Sequence, residues 1–256
     1  MLKHIGVVGK AEGLEARLQV AAPGEVLVSQ LGGADAAPGM LSAIAVDATA
    51  DGAAEAVLAA ASTQEALLGL LADAVDCREG IALGGSRRVC DHASRFAKAL
   101  ALGAKEQLRL ERGALLRDIG KLSISNEVLL KNTVLTYDEW ILLQQHTELG
   151  VKLLEERGIC TGVTDIVGCH HECYDGTGYP KGIERDAIPR DARIMKILDV
   201  YCAMTSPRHY RKTQSTHESA VEYLSSERGK HFDPELIDVF LDGNIGQTAV
   251  KGETEA

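Results

Sequence analysis

The sequence predicts a mainly α-helical protein, with a small α/β unit first and an all-helical unit after it. Three observations carry that expectation. Helical apolar stripes recur from about residue 87 onward. Short strand-like apolar runs are confined to the first fifty residues or so. The composition also changes along the chain: every aromatic residue lies at Phe96 or later, and residues 1–80 hold 11 acids against 4 bases. The expected division is a regulatory or packing unit over 1–80, a helical unit over 87–242 and a C-terminal tail over 243–256. At 256 residues the chain is long enough to bury a core in each unit.

In order, "HIGVVG" reads as a strand, "EGLEARLQVA" as a helix, and "GEVLVSQLGG" and "LSAIAVDA" as two further strands. An Ala-rich helix follows from about Asp51 to Val75. The unit lacks the cluster of acids at strand ends that a receiver domain uses for magnesium and phosphoryl transfer, so it reads as packing or regulation without chemistry. In the second unit, Val89, Ala93, Phe96, Ala97 and Leu100 form one helical stripe. "LTYDEWILLQQHTELGVKLLEERG" reads as one helix, capped by Thr136 and stopped at Gly158. "DARIMKILDVYCAMTS" is apolar nearly all round and reads as a buried helix.

A formal charge of −10 argues against binding long nucleic acid, which needs a basic surface. It leaves room for a small phosphate ligand held by local cations. The longest apolar stretch is interrupted by Glu65 and Asp73, so no membrane span is expected. The N-terminus is too polar for a signal peptide, and six scattered cysteines suit free thiols, so the expected compartment is the cytoplasm. Cys169 and Cys173 flank a histidine pair, where soft metal ligation or redox sensing competes with plain apolar packing.

Chemistry concentrates in the helical unit. Asp199 sits in its most apolar helix, and Asp118, in "ALLRDIGKL", has similar surroundings. A buried carboxylate is costly unless paired or bound to metal. Asp118 has Arg117 and Lys121 as pairing options, and Asp199 has Lys196. His92, His146, His170 and His171 fall on inward stripes or beside turns. Together these imidazoles and carboxylates are a ligand set suited to iron, manganese, cobalt, nickel or zinc, as one or two ions.

The separated segments "LLRDIGKLSI", "LTYDEWILLQQHTELG", "HHECYDGTGYPKGI", "IPRDARIMKILDVYCAMTSPRHYRK" and "GKHFDPELIDVF" resemble, in order and spacing, the HD-GYP domain family. These are bacterial hydrolases of the HD phosphohydrolase superfamily that cleave cyclic di-GMP. The resemblance covers roughly residues 87–242 and implies an all-helical HD-type bundle. It implies metal ligands at His92, Asp118, His146, His170, His171 and Asp199, with Asp118 and Lys121 at the chemistry. Lys121, Arg208, Arg211 and Lys212 match residues that hold the ligand's phosphates. Gly178, Tyr179 and Pro180 match the turn that shapes the site rim and meets protein partners. A cyclic dinucleotide is the implied ligand. A second signalling protein at the GYP surface and a homodimer are compatible partners.

The pattern also departs from the family. Its His–Asp pair reads Arg117–Asp118, and a guanidinium cannot coordinate metal. Arg88 stands where some members carry a third-metal glutamate, counting four back from His92. Cys202–Ala203 replaces Asp–Ala, His209 replaces a proline, and "KNT" replaces Lys-Pro-Gly. Two expectations follow: a metal-dependent phosphodiesterase with a reduced metal site and altered activity, or a degenerate module that binds without hydrolysis. A third placement has Arg117 pointing to solvent.

Overall fold

The computed structural model describes residues 3–7, 26–30, 44–46, 53–80, 84–158, 161–206 and 214–247. The chain forms two compact units, residues 1–68 with 153–160, and residues 69–152 with 161–256.

The described strands of the first unit are β1 (Lys3–Val7), β2 (Val26–Gln30) and β3 (Ile44–Val46). They fall on the three apolar runs. The sheet order is β2-β1-β3. β1 runs parallel to β2, with Ile5 opposite Val28, and antiparallel to β3, with Ile5 opposite Val46. The helix expected at "EGLEARLQVA" lies outside the described residues. Helix α1 (Ala53–Arg78) begins in this unit, and from Gly69 on it belongs to the second. It stops at Gly80, whose φ of 66° lies in the left-handed region glycine favours.

The second unit is helical: α2 (Gly85–Ala99), α3 (Ala104–Leu116), α4 (Asn126–Leu129), α5 (Tyr137–Gln144), α6 (His146–Glu155), α7 (Thr161–Cys169), α8 (Arg190–Thr205), α9 (His217–Ser226) and α10 (Pro234–Asp242). A 3-10 turn, Ile119–Ser123, follows α3. α2 packs on α3 and α8, and α7 packs on both α3 and α8. The α2 stripe behaves as its spacing predicts: Val89, Ala93, Phe96 and Ala97 are fully buried against Leu110, Ala114, Ile166, Ile194 and Leu198. Each large apolar side chain buried this way contributes about 1.5–3 kcal/mol. α8 is the buried helix its composition predicts, closing over Ala192, Ile194, Met195, Ile197, Leu198, Tyr201 and Cys202.

One expected helix is two. The segment capped by Thr136 breaks at Gln145, between α5 and α6. The cap itself is as expected, with Thr136 Oγ1 accepting from the Glu139 amide at 3.3 Å. At the break, side chains engage the carbonyls: His146 Nδ1 is 2.8 Å from Leu143 O, and Thr147 Oγ1 donates to Gln144 O at 3.1 Å. Local side-chain bonds of this kind compete with the helical ladder. The break aims the His146 ring inward, where it is 1% exposed on the residue scale.

Candidate metal centre

Asp118 follows the end of α3, where the chain leaves the helix for the 3-10 turn. Gly120 lets that turn approach α6 closely: a Cβ there would lie 1.9 Å from His146 O. α6 supplies His146 at its first residue, and the end of α7 leads into His170 and His171. One ligand atom each from Asp118, His146, His170 and His171 lies within 4.8 Å of the others. His146 Nε2 is 3.6 Å and His170 Nε2 3.9 Å from Asp118 Oδ1.

The protonation pattern suits a cation. His146 Nδ1 faces Leu143 O, and His170 Nδ1 faces Val167 O at 3.0 Å and Ile166 O at 3.3 Å. A carbonyl partner requires the proton on Nδ1 and leaves the Nε2 lone pair free. His146 Nε2, His170 Nε2 and Asp118 Oδ1 are buried and make no aligned hydrogen bond among the described residues. Burial lowers the pKa of all three histidines, that of His170 to about 4, so they are neutral near pH 7. Two buried, unpartnered Nε2 atoms on neutral imidazoles, facing a carboxylate oxygen whose close neighbour is Lys121, are a donor set that fits a divalent transition metal.

Arg117 fills the other side of Asp118. It is buried rather than turned to solvent, at 6% exposure. Its Nε donates to Asp199 Oδ1 at 2.9 Å, and its Nη2 is 3.2 Å from Asp118 Oδ2. Nη1 donates to Ala114 O at 2.9 Å and to Ser86 Oγ at 3.3 Å. Burial alone would raise both carboxyl pKa values. Arg117 overrides it at Asp199, and Lys121 and Arg117 together hold Asp118 well below the usual range. Asp199 thus pairs with Arg117, not Lys196, whose Nζ donates instead to His171 O at 3.4 Å.

Two site expectations need correction. His92 is not with the other ligands: its Nδ1 lies 2.9 Å from Ile245 O, and its ring meets Tyr201 edge-on at 5.5 Å. Gly85 and Val89 are the α2 residues that line the cavity beside Arg117 and Asp199, and His92 does not reach it. Arg88 is correspondingly no metal-facing position. Its Nη2 donates to Cys202 O at 3.0 Å and Thr205 Oγ1 at 3.1 Å, satisfying the C-terminus of α8.

Lys121 lies beside the cluster, with Nζ 2.9 Å from Asp118 Oδ1 and 2.8 Å from Glu79 Oε1. Burial opposes its charge, but Asp118 and Glu79 raise its pKa. Glu79 and Ser86 escaped the sequence reading. An acid beside a glycine at a helix end reads as solvated, and nothing local marks Ser86. The GYP turn folds back on the histidines: Tyr179 N–H donates to His171 O at 3.4 Å, and its ring stacks on His171 at 4.6 Å. Gly178 allows this, because a Cβ there would meet Cys173 N at 2.2 Å. Pro180 follows through a cis peptide bond. Cys169 and Cys173 are buried outside the ligand cluster. Cys169 packs with Ile188 and Ala192, and burial raises its thiol pKa, so it packs as an apolar residue. Arg208, Arg211 and Lys212 lie outside the described residues.

No described helix is long and apolar enough to cross a membrane. A family profile for the HD domain matches residues 69–236. The cyclic di-GMP phosphodiesterase response regulator RpfG of Xanthomonas campestris pv. campestris is 37% identical over 73% of this chain and 50% of its own length. The 3′3′-cGAMP-specific phosphodiesterase 2 of Vibrio cholerae is 34% identical over 70% of this chain and 35% of its own. Half or less of these relatives is thus spanned. A crystal structure of a cyclic GMP-AMP specific phosphodiesterase of V. cholerae, V-cGAP3, shares the fold with a TM-score of 0.54 at 22% identity, over 69% of this chain and 47% of that one. The chain therefore belongs to the HD domain family, in its HD-GYP branch.

Proposed function

We propose that the chain is a metal-dependent phosphodiesterase acting on a cyclic dinucleotide, cyclic di-GMP foremost, through a centre that holds one ion. The observation that carries this reading is the convergence of Asp118 Oδ1 and His171 with two unpartnered nitrogens, His146 Nε2 and His170 Nε2. The relatives named for cyclic di-GMP and 3′3′-cGAMP support the substrate class.

Asp118, His146, His170 and His171 hold the ion in this reading. A divalent cation there supplies a Lewis acid and an activated water. Lys121 and Arg117 place two fixed positive charges beside the site, suited to a phosphodiester whose charge grows during attack. Arg117 neutralises Asp118 and Asp199, the work a second ion would do. Arg208, Arg211 and Lys212 hold the phosphates, and Gly178, Tyr179 and Pro180 form the rim and the surface for a protein partner.

A second reading, a module that binds without hydrolysis, is favoured by the saturation of Asp199 and Asp118 Oδ2 by Arg117. One experiment separates the two: metal content by mass spectrometry, together with turnover of cyclic di-GMP and 3′3′-cGAMP. The enzyme reading expects one ion per chain, turnover that chelation abolishes, and loss of the ion in His170→Ala. An ion-free wild type without turnover sinks it. Ligand binding with no turnover in the metal-loaded protein selects the second reading.

A further inference from the structure

Lys121 stands between two buried carboxylates from different parts of the chain. Its Nζ is 2.9 Å from Asp118 Oδ1 and 2.8 Å from Glu79 Oε1, and the side chains of all three residues are at most 15% exposed. Asp118 Oδ1 is also the oxygen that faces His146 Nε2 and His170 Nε2. The ammonium and any cation taken up by the histidine cluster therefore compete for one oxygen. An ammonium pushed off Asp118 without another counterion would be a buried, unpaired charge, which is strongly unfavourable. Glu79 already touches it on the other side.

The carboxylate is also anchored. Glu79 follows the last residue of α1, and three neighbours fix that end of the helix. Asp76 accepts from the Ser86 amide at 3.0 Å and from Ser86 Oγ at 2.8 Å. Asp73 pairs with Arg87 at 2.7 Å, and Arg78 Nη2 donates to Ile124 O. The same Ser86 hydroxyl accepts from Arg117. The end of α1 thus touches both cations of the centre, one directly and one through Ser86.

We propose that Glu79 is a positioning residue that retains Lys121 when a cation occupies Asp118, so that uptake of the ion does not strand the lysine. This rests on the one-ion reading above and adds a residue the HD-GYP resemblance did not point to. Without Glu79, Asp118 is the lysine's one carboxylate partner among the described residues, and the lysine resists displacement.

The test is manganese binding to the full chain, by competition with a chelator, in wild type, Glu79→Gln, Glu79→Asp, Lys121→Met and the Glu79→Gln/Lys121→Met pair. Glu79→Gln is expected to weaken manganese about 10- to 100-fold, the usual range for an outer-sphere partner. Glu79→Asp should recover part of that loss, and Lys121→Met should bind at least as tightly as wild type. In the Lys121→Met background, Glu79→Gln should change affinity less than about twofold, because coupled residues lose their joint effect once one is gone. An unchanged affinity in Glu79→Gln overturns the proposal. So does an equal loss in both backgrounds, which would mean that Glu79 acts by its own charge. If Glu79→Gln does not fold, Lys121→Met still decides: weaker binding than wild type is the overturning result. A wild type that takes up no manganese sinks the one-ion reading and the proposal with it, and is told apart because the other failures need a wild type that binds.

Discussion

The two oxygens of Asp118 look onto different chemistries. Oδ1 faces neutral imidazoles whose Nε2 lone pairs have no partner, and Oδ2 faces a guanidinium whose donors are also taken by Asp199, Ala114 and Ser86. In the first half the two Nε2 atoms are unsatisfied, although Lys121 also touches Oδ1, and in the second the guanidinium is saturated. Buried polar atoms without partners are costly. The arginine half is complete in itself. One side of Asp118 thus meets imidazoles that could hold a metal, and the other meets a covalently attached cation.

The largest effect that sharpens this contrast comes from pH, because only the histidine half titrates near neutrality. His170 has its pKa lowered from 6.5 to about 4 by burial. Between those values the unfolded chain binds more protons than the folded one. Metal-free protein should therefore have its full His170 contribution above about pH 6.5 and lose about 3 kcal/mol of it on going to pH 4. Asp118 and Asp199, whose pKa values lie below the ordinary 3.8, should add only a small loss at the acid end of that interval. Urea titrations at pH 7.5 and 4.5, with His170→Gln as the control, check this. A stability that does not change would break the contrast.

A smaller effect is expected from Asp199→Asn. It removes one charged partner of Arg117, worth about 1.5–3 kcal/mol for a hydrogen bond to a charged group. The ion content should not change, since Asp199 belongs to the saturated half. Loss of the ion would return Asp199 to the ligands. The smallest effect is that of His92→Gln. Losing the bond to Ile245 O should cost about 1 kcal/mol, with metal content untouched. Chemical denaturation and mass spectrometry on one sample read both quantities.

Much of this centre was legible in the sequence, and the misses have physical causes. Asp118, His146, His170 and His171, which the resemblance picked out, converge in the structure, and Lys121 and the GYP turn lie beside them. His92 misled because periodicity assigns a residue to the inward side of its helix but not to the partner it meets there, which here is Ile245 O. The break at Gln145 depends on side-chain bonds to carbonyls, which no capping residue announces. Glu79 lies far from Lys121 in sequence, and an acid in that position is ordinarily solvated. The strands of the first unit were visible as apolar runs, whereas their order around a central β1 is set by pairings that local pattern does not encode.

Arg117 also differs from a metal ion in how its charge reaches the site. A metal ion must be acquired, can be lost to a chelator and can change oxidation state. The guanidinium is synthesised with the chain, stays charged at every pH at which the protein folds, and is present from the moment α3 closes on α8. That positive charge is thus independent of the medium, and with or without metal Asp199 and Asp118 stay paired with Arg117.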